Sequence, residues 1–172
     1  LDEWYENESM QAKYKKQGKE SLIEYYHKHE GKFTVPLALE KGINLKVGSY
    51  TLIGRVDRVD KLSDNSIEII DYKTGKKPET IGKMDKWNKR QLLIYQLAFQ
   101  HIYEQPVSQV TFYYLDCNEP LSFIGKEGDL EKLQTDITDI IEEIKISKFE
   151  PNPGKHTCMF CVKCGKDAVK GQ

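Results

Sequence analysis

The chain predicts an α/β domain, a mixed central β-sheet flanked by helices. Three observations carry that expectation. Apolar residues alternate over Tyr50 to Leu62 and again over Ile67 to Tyr72, around a Ser63-Asp64-Asn65-Ser66 stretch of turn-favouring residues. Leu92, Tyr95, Phe99 and Ile102 then recur at helical spacing, ahead of a second pair of strand-like runs. Leu130, Leu133, Ile137, Ile140, Ile141 and Ile144 finally stripe one face of a last helix. A length of 172 residues suits one hydrophobic core and is short for two. Residues 1–172 are therefore read as a single domain with a cysteine-containing tail over 150–172.

Residues Asp2 to Glu30 are rich in helix formers with scattered apolar anchors, which predicts one or two helices ended by Gly31. His27 and His29 near that end read as surface residues whose charge suits the helix dipole. Phe33 to Lys41 and Asn44 to Val47 alternate loosely about Lys41-Gly42, predicting a hairpin that leads into the central strand. After the second apolar run comes a loop with Pro78, then a helix over Asp85 to Glu104. Val107 to Leu115 and Leu121 to Ile124 read as another strand pair, followed by the helix over Asp129 to Ser147.

The stretch from Gly54 to Gly75 carries the chemistry: G-R-V-D-R-V-D-K-L-S-D-N-S-I-E-I-I-D-Y-K-T-G. If the hairpin is centred on Asp64, Asp57 stands opposite Asp71, each seven positions from the centre. Their Cβ atoms are then about 5 Å apart on one face, and Lys73 points the same way. A turn one residue longer or shorter sends the two acids to opposite faces. Facing carboxylates with a neighbouring ammonium suit a hard divalent cation and phosphodiester hydrolysis. Asp57-Arg58 and Asp60-Lys61 equally suit a solvated ion-pair ladder. Gln91 and Tyr95, four apart, share a helix face, where Tyr95 belongs to the apolar stripe in any case.

Net charge says nothing about partners, with 26 Lys and Arg against 27 Asp and Glu. Between Lys73 and Arg90, however, seven basic residues, Lys76 and Arg90 among them, face two acids. That run suits a phosphate backbone or a solvated loop. No apolar run reaches membrane-spanning length and no signal peptide opens the chain, so a cytoplasmic setting without membrane attachment is the default. Starting at Leu1 without Met, the chain is expected to be a piece of a longer protein.

G-R-V-D-R-V-D, then I-I-D-Y-K-T-G, then Q-L-L-I-Y together resemble the RecB-type branch of the PD-(D/E)XK nuclease superfamily. That branch includes nuclease domains of AddAB-type bacterial helicase-nucleases and CRISPR-associated exonucleases. The resemblance implies a restriction-endonuclease-like core and Mg2+-dependent or Mn2+-dependent DNA cleavage. It further implies a DNA repair or recombination setting beside a helicase domain or subunit. It matches Asp57 to the first metal-binding aspartate, Asp71 and Lys73 to the acid-x-Lys pair, and Gln91 and Tyr95 to a DNA-contacting Q-x-x-x-Y signature. Glu40 falls where relatives carry a supporting glutamate, and the Tyr72 carbonyl where they carry a further metal ligand. Relatives usually place a metal-binding histidine on an early helix in a G-x-x-x-H-like setting; neither His27 nor His29 has that setting, and the role is not carried over. The alternative is a catalytically incomplete nuclease-like module that binds DNA or serves as a scaffold.

F-E-P-N-P-G-K-H-T-C-M-F-C-V-K-C resembles the end of iron-sulfur relatives. Cys158, Cys161 and Cys164 then suit a 4Fe-4S cluster, a zinc ion or free thiols, with His156 (a Cys₃His zinc site), Cys117 or a residue upstream as the fourth ligand. Cys117 itself reads as an unliganded structural cysteine.

Overall fold

A computed structural model of the chain describes residues 8–102 and 106–149. The whole tail expected over 150–172, with Cys158, Cys161 and Cys164, lies outside the described residues. By its contacts the chain divides into two compact units, Leu1–Thr138 and Asp139–Gln172. The first holds the whole sheet, and what is described of the second is the end of a helix and the residues up to 149.

The elements run α1 (Glu8–His29), β1 (Ala38–Val47), β2 (Tyr50–Lys61), β3 (Ile67–Lys73), α2 (Lys86–Ile102), β4 (Val107–Tyr114), β5 (Glu119–Phe123) and α3 (Glu127–Ile146). Five strands form one sheet in the order β1-β2-β3-β4-β5. Only β3 and β4 pair in parallel; every other neighbour is antiparallel. A parallel pair needs a crossover, and α2 supplies it. The mixed sheet with flanking helices is the architecture the periodicities predicted.

The β2–β3 hairpin has the odd-length geometry on which the acid pair depends. Its partners Arg58↔Ile70, Val59↔Ile69, Asp60↔Glu68 and Lys61↔Ile67 are all symmetric about Asp64. The turn closes through its own side chains: Asp64 Oδ1 accepts from the Ser66 amide at 3.0 Å and its hydroxyl at 2.5 Å. Asn65 takes the left-handed conformation, φ 70°, that Asn tolerates better than most residues.

The expected turn at Lys41-Gly42 is overturned. The structure has no turn at Lys41-Gly42, and β1 runs through both as a continuous strand. The turn falls instead at Gly48, φ 57°, closing the Val47↔Tyr50 pair. Ile43, Leu45 and Val47 bury alternate side chains, and a bend at Gly42 would have broken that period. Gly48 supplies the positive φ a tight hairpin turn requires.

β3 divides the molecule into two faces. Ile67, Ile69 and Asp71 are buried toward α2, whereas Glu68, Ile70 and Tyr72 leave the other way, toward α1. α2 starts at a side-chain cap, Asp85 Oδ1 accepting from the Trp87 amide at 2.8 Å and the Asn88 amide at 3.3 Å. It buries Leu92, Leu93, Leu97, Ala98 and Phe99 against the sheet. α1 buries no residue and is held by polar tips and rings instead. The Tyr25 and Tyr72 hydroxyls are 3.0 Å apart, and His29 Nε2 is 2.9 Å from the Tyr113 hydroxyl. His27 is exposed, as expected, but His29 is half-buried among Tyr25, Phe33 and Tyr113. Burial and the nearby Lys28 push the His29 imidazole below its ordinary value.

α3 buries Leu130, Leu133 and Ile137. Its approach is set by Gln96, which is 1% exposed and exchanges two hydrogen bonds with the Gly125 backbone: Gly125 N–H to Oε1 at 2.8 Å, and Nε2–H to the Gly125 carbonyl at 3.0 Å. A Cβ on Gly125 would come within 2.3 Å of Leu93 Cδ2 and 2.9 Å of Gln96 Oε1, so any side chain there must displace both. Gln96→Leu keeps the volume but strands both backbone groups. It is expected to destabilise the fold by about 1–3 kcal/mol, read as a lower urea midpoint at unchanged slope.

Candidate active site

The β2–β3 register brings Asp57 beside Asp71 at the open end of the hairpin. Asp57 Oδ2 accepts from the Tyr72 amide at 2.9 Å, and its other oxygen takes no hydrogen bond among the described residues. Asp71 is 3% exposed. Its Oδ1 accepts from Gln91 Nε2 at 3.1 Å. Its buried Oδ2 stands 2.7 Å from Lys73 Nζ, an ion pair without the alignment of a hydrogen bond, and has no hydrogen-bond partner. Burial pushes the Asp71 carboxyl above its ordinary value; Lys73 pulls it back and the neighbouring Asp57 charge pushes it further.

Lys73 is held from three sides. Besides Asp71, its ammonium donates to Gln91 Oε1 at 3.0 Å and lies 5.0 Å from the centre of the Phe112 ring. Gln91 also donates to the Tyr95 hydroxyl at 2.9 Å, which in turn donates to the Arg55 carbonyl at 2.8 Å. A continuous chain of hydrogen bonds thus runs from Lys73 through α2 into β2. The i, i+4 spacing placed Gln91 and Tyr95 on one face, and that face meets the acids. Tyr95 is 7% exposed with both hydroxyl roles filled inside the protein, so it braces the site from within.

The carboxylate oxygens without hydrogen bonds, one on Asp57 and one on Asp71, are hard donors of the kind Mg2+ and Mn2+ take, usually one or two carboxylates with the rest water and phosphate oxygen. The donor set fits such a cation, although no group of three or more His, Cys, Asp or Glu converges among the described residues.

The chain as a whole is similar to known proteins. The family model of the PD-(D/E)XK nuclease superfamily covers residues 2–165. The chain belongs to that superfamily. A protein from Clostridium perfringens, named as a subunit of an ATP-dependent helicase/deoxyribonuclease, is 30% identical over 143 residues, which is 72% of this chain and 12% of that protein. Its namesake from Streptococcus pyogenes serotype M3 is 35% identical over 72 residues, 41% of this chain and 7% of that protein. The chain therefore spans a small fraction of the length of these relatives. Among solved structures, that of SSO0001 is similar at a TM-score of 0.40 and 18% identity, covering 69% of this chain and 56% of that one.

Within this PD-(D/E)XK nuclease fold, the other sequence-derived candidates sit as follows. Glu40, φ 47°, interrupts the β1–β2 ladder opposite Asp57, but its side chain is 65% exposed and lies 3.8 Å from Arg55 Nη1. Tyr72 gives its amide to Asp57 while its side chain leaves on the opposite face. Lys76 is exposed and has no ion-pair partner among the described residues. Arg90 is engaged, paired with Asp136 at 2.8 Å and lying 5.3 Å from the Trp87 ring centre. Cys117 is exposed in the β4–β5 turn rather than packed inside. Sequence reading missed Phe112 beneath Lys73 and the Arg55 carbonyl beneath Tyr95. The first follows only from the parallel register Asp71↔Phe112, and the second is backbone that carries no residue signal.

Because the Asp71 carboxyl is raised, ionising it costs more in the folded than in the unfolded chain. Stability is then fullest below the ordinary carboxylate range and falls as pH rises through the folded value. Asp71→Asn removes that cost. In EDTA the variant is expected to melt higher than the wild type at neutral pH. The gap should close as pH is lowered beneath the ordinary aspartate value, followed by circular dichroism across pH.

Proposed function

We propose that this chain is the nuclease domain of a helicase-associated protein and hydrolyses DNA phosphodiester bonds with Mg2+ or Mn2+ held by Asp57, Asp71 and the Tyr72 carbonyl. The observation that carries the reading is the buried Asp71 carboxylate, whose Oδ2 is met by the Lys73 ammonium at 2.7 Å, beside the second carboxylate of Asp57. Holding two carboxylates of the same sign together, one of them buried, is costly unless a cation completes the site. The names of the helicase/deoxyribonuclease relatives support the DNA substrate and the helicase partner.

When bound, the cation supplies an acidified water and offsets charge at phosphorus. Lys73 places its positive charge where a scissile phosphate gains negative charge, and Gln91 and Phe112 hold that charge at one spot. Tyr95 fixes Gln91 in turn. Lys76, exposed just beyond the hairpin, is the candidate contact to the flanking phosphates, whereas Arg90 would have to leave Asp136 to join it. Gln91 serves the substrate by orienting Lys73. Glu40 takes a supporting part only by turning from Arg55 toward Asp57.

A second reading, the catalytically incomplete DNA-binding or scaffolding module, is favoured by the lack of a third acid, His or Cys ligand among the described residues. Cleavage of linear single- and double-stranded DNA in Mg2+ separates the two. The nuclease reading expects cutting that EDTA stops, with Lys73→Ala slower by about 100- to 1000-fold and Asp71→Ala at least as impaired. Unimpaired binding with no cutting by the wild type would favour the module.

A further inference from the structure

On the face of the sheet opposite Asp71, a cavity of about 400 Å³ opens between the end of α1 and strands β2 to β5. None of its lining residues takes part in the site above except Tyr72, whose amide faces Asp57 while its ring faces the cavity. One wall is aromatic: the Tyr25 ring centre is 5.9 Å from Tyr72 and 5.2 Å from Tyr113, both edge-on. The floor is polar. Glu68 Oε1 accepts from Gln109 Nε2 at 2.7 Å and from the Thr111 hydroxyl at 2.5 Å, which leaves Glu68 Oε2 and Gln109 Oε1 without hydrogen bonds among the described residues. The rim is cationic. Lys32 and Lys61 line it with no ion-pair partner among the described residues, and Arg58 is fixed there by Asp60 at 2.9 Å and the Thr34 hydroxyl at 3.0 Å.

Flat rings, bare acceptor oxygens and positive charge at the mouth are the three things an unpaired nucleotide asks of a pocket. The base stacks on aromatic faces, its amino group donates to the acceptors, and its phosphate meets the lysines. We infer that this cavity binds one unpaired nucleotide of single-stranded DNA, with preference for an amine-bearing base over thymine. The inference rests on the DNA reading above for the polymer and adds a second site for it. Strand alternation sets the two sites back to back at the end of β3, with Asp71 and Lys73 on one face and Tyr72 on the other. The acceptors decide the base: cytosine, adenine and guanine carry an exocyclic amine for Glu68 Oε2, and thymine offers only its ring N–H.

The test measures binding of short fluorescein-labelled oligo(dC) and oligo(dT) to the whole chain in EDTA, by anisotropy. Wild type is expected to bind oligo(dC) more tightly. Tyr25→Ala should weaken both by about tenfold, and Tyr25→Phe, which keeps the ring, should not. Glu68→Gln should erase the preference while leaving oligo(dT) affinity in place, and Lys32→Glu should weaken both and flatten the salt dependence. An oligonucleotide carrying 5-iododeoxycytidine should photo-cross-link to Tyr25. Equal affinity for the two oligomers, or variants that all bind like wild type, would overturn the inference. If such variants still cut DNA in Mg2+, the nuclease reading stands without it. If the preference and the cross-link hold but nothing is cut, the pocket stands and the nuclease reading falls.

Discussion

A carboxylate shut away from water at the end of a strand is the constraint around which this domain is arranged. Asp71 has almost no exposed surface, and taking its charge out of water costs free energy that the fold must offset. It does so incompletely. Gln91 donates to one oxygen, Lys73 pairs with the other at 2.7 Å, and Asp57 makes matters worse by standing near with the same sign. A core selected only for stability would replace that trio with apolar residues. Its presence is consistent with the nuclease reading proposed above, in which stability is given up for chemistry.

The neighbours of Asp71 serve chiefly to keep the arrangement from relaxing. Lys73 is held by a carboxylate, an amide oxygen and a ring face while part of its side chain stays exposed. Gln91 reaches three partners at once, and Tyr95 ties it to the backbone of β2. The parts come from β2, β3, α2 and β4, so the site exists only once the β3–α2–β4 crossover has closed. The second face of β3 obeys the same period of two: Glu68 and Tyr72, which cannot reach Asp71, line a separate cavity beneath α1.

Most of the strand and helix pattern was legible because the apolar positions recur at unmistakable periods. The hairpin about Asp64 could be centred because Asp and Asn hydrogen-bond their own turn. Gly42 misled, since glycine marks both turns and tolerant strand positions, and only the pairing of β1 with β2 distinguishes them. His29 misled in the other direction: nothing local says that a helix-end histidine will meet Tyr113, 84 positions away. Glu40 shares a register position with Asp57 yet turns to solvent, an outcome set by its left-handed backbone.

The sequence by itself determined that apolar residues alternate along the strands on either side of a Ser63–Ser66 turn, because alternation and turn composition are local properties. Whether two aspartates and a lysine would meet hung on the centring of that turn, which the β2–β3 register settled. Tertiary structure alone decided how deeply Asp71 is buried, which oxygen goes unsatisfied, that Gln91 bridges acid and base, and that Tyr25, Glu68 and Gln109 enclose a cavity. Those outcomes depend on contacts between residues far apart in the chain, and neither the energy of burial nor the shape of a void is written at any single position.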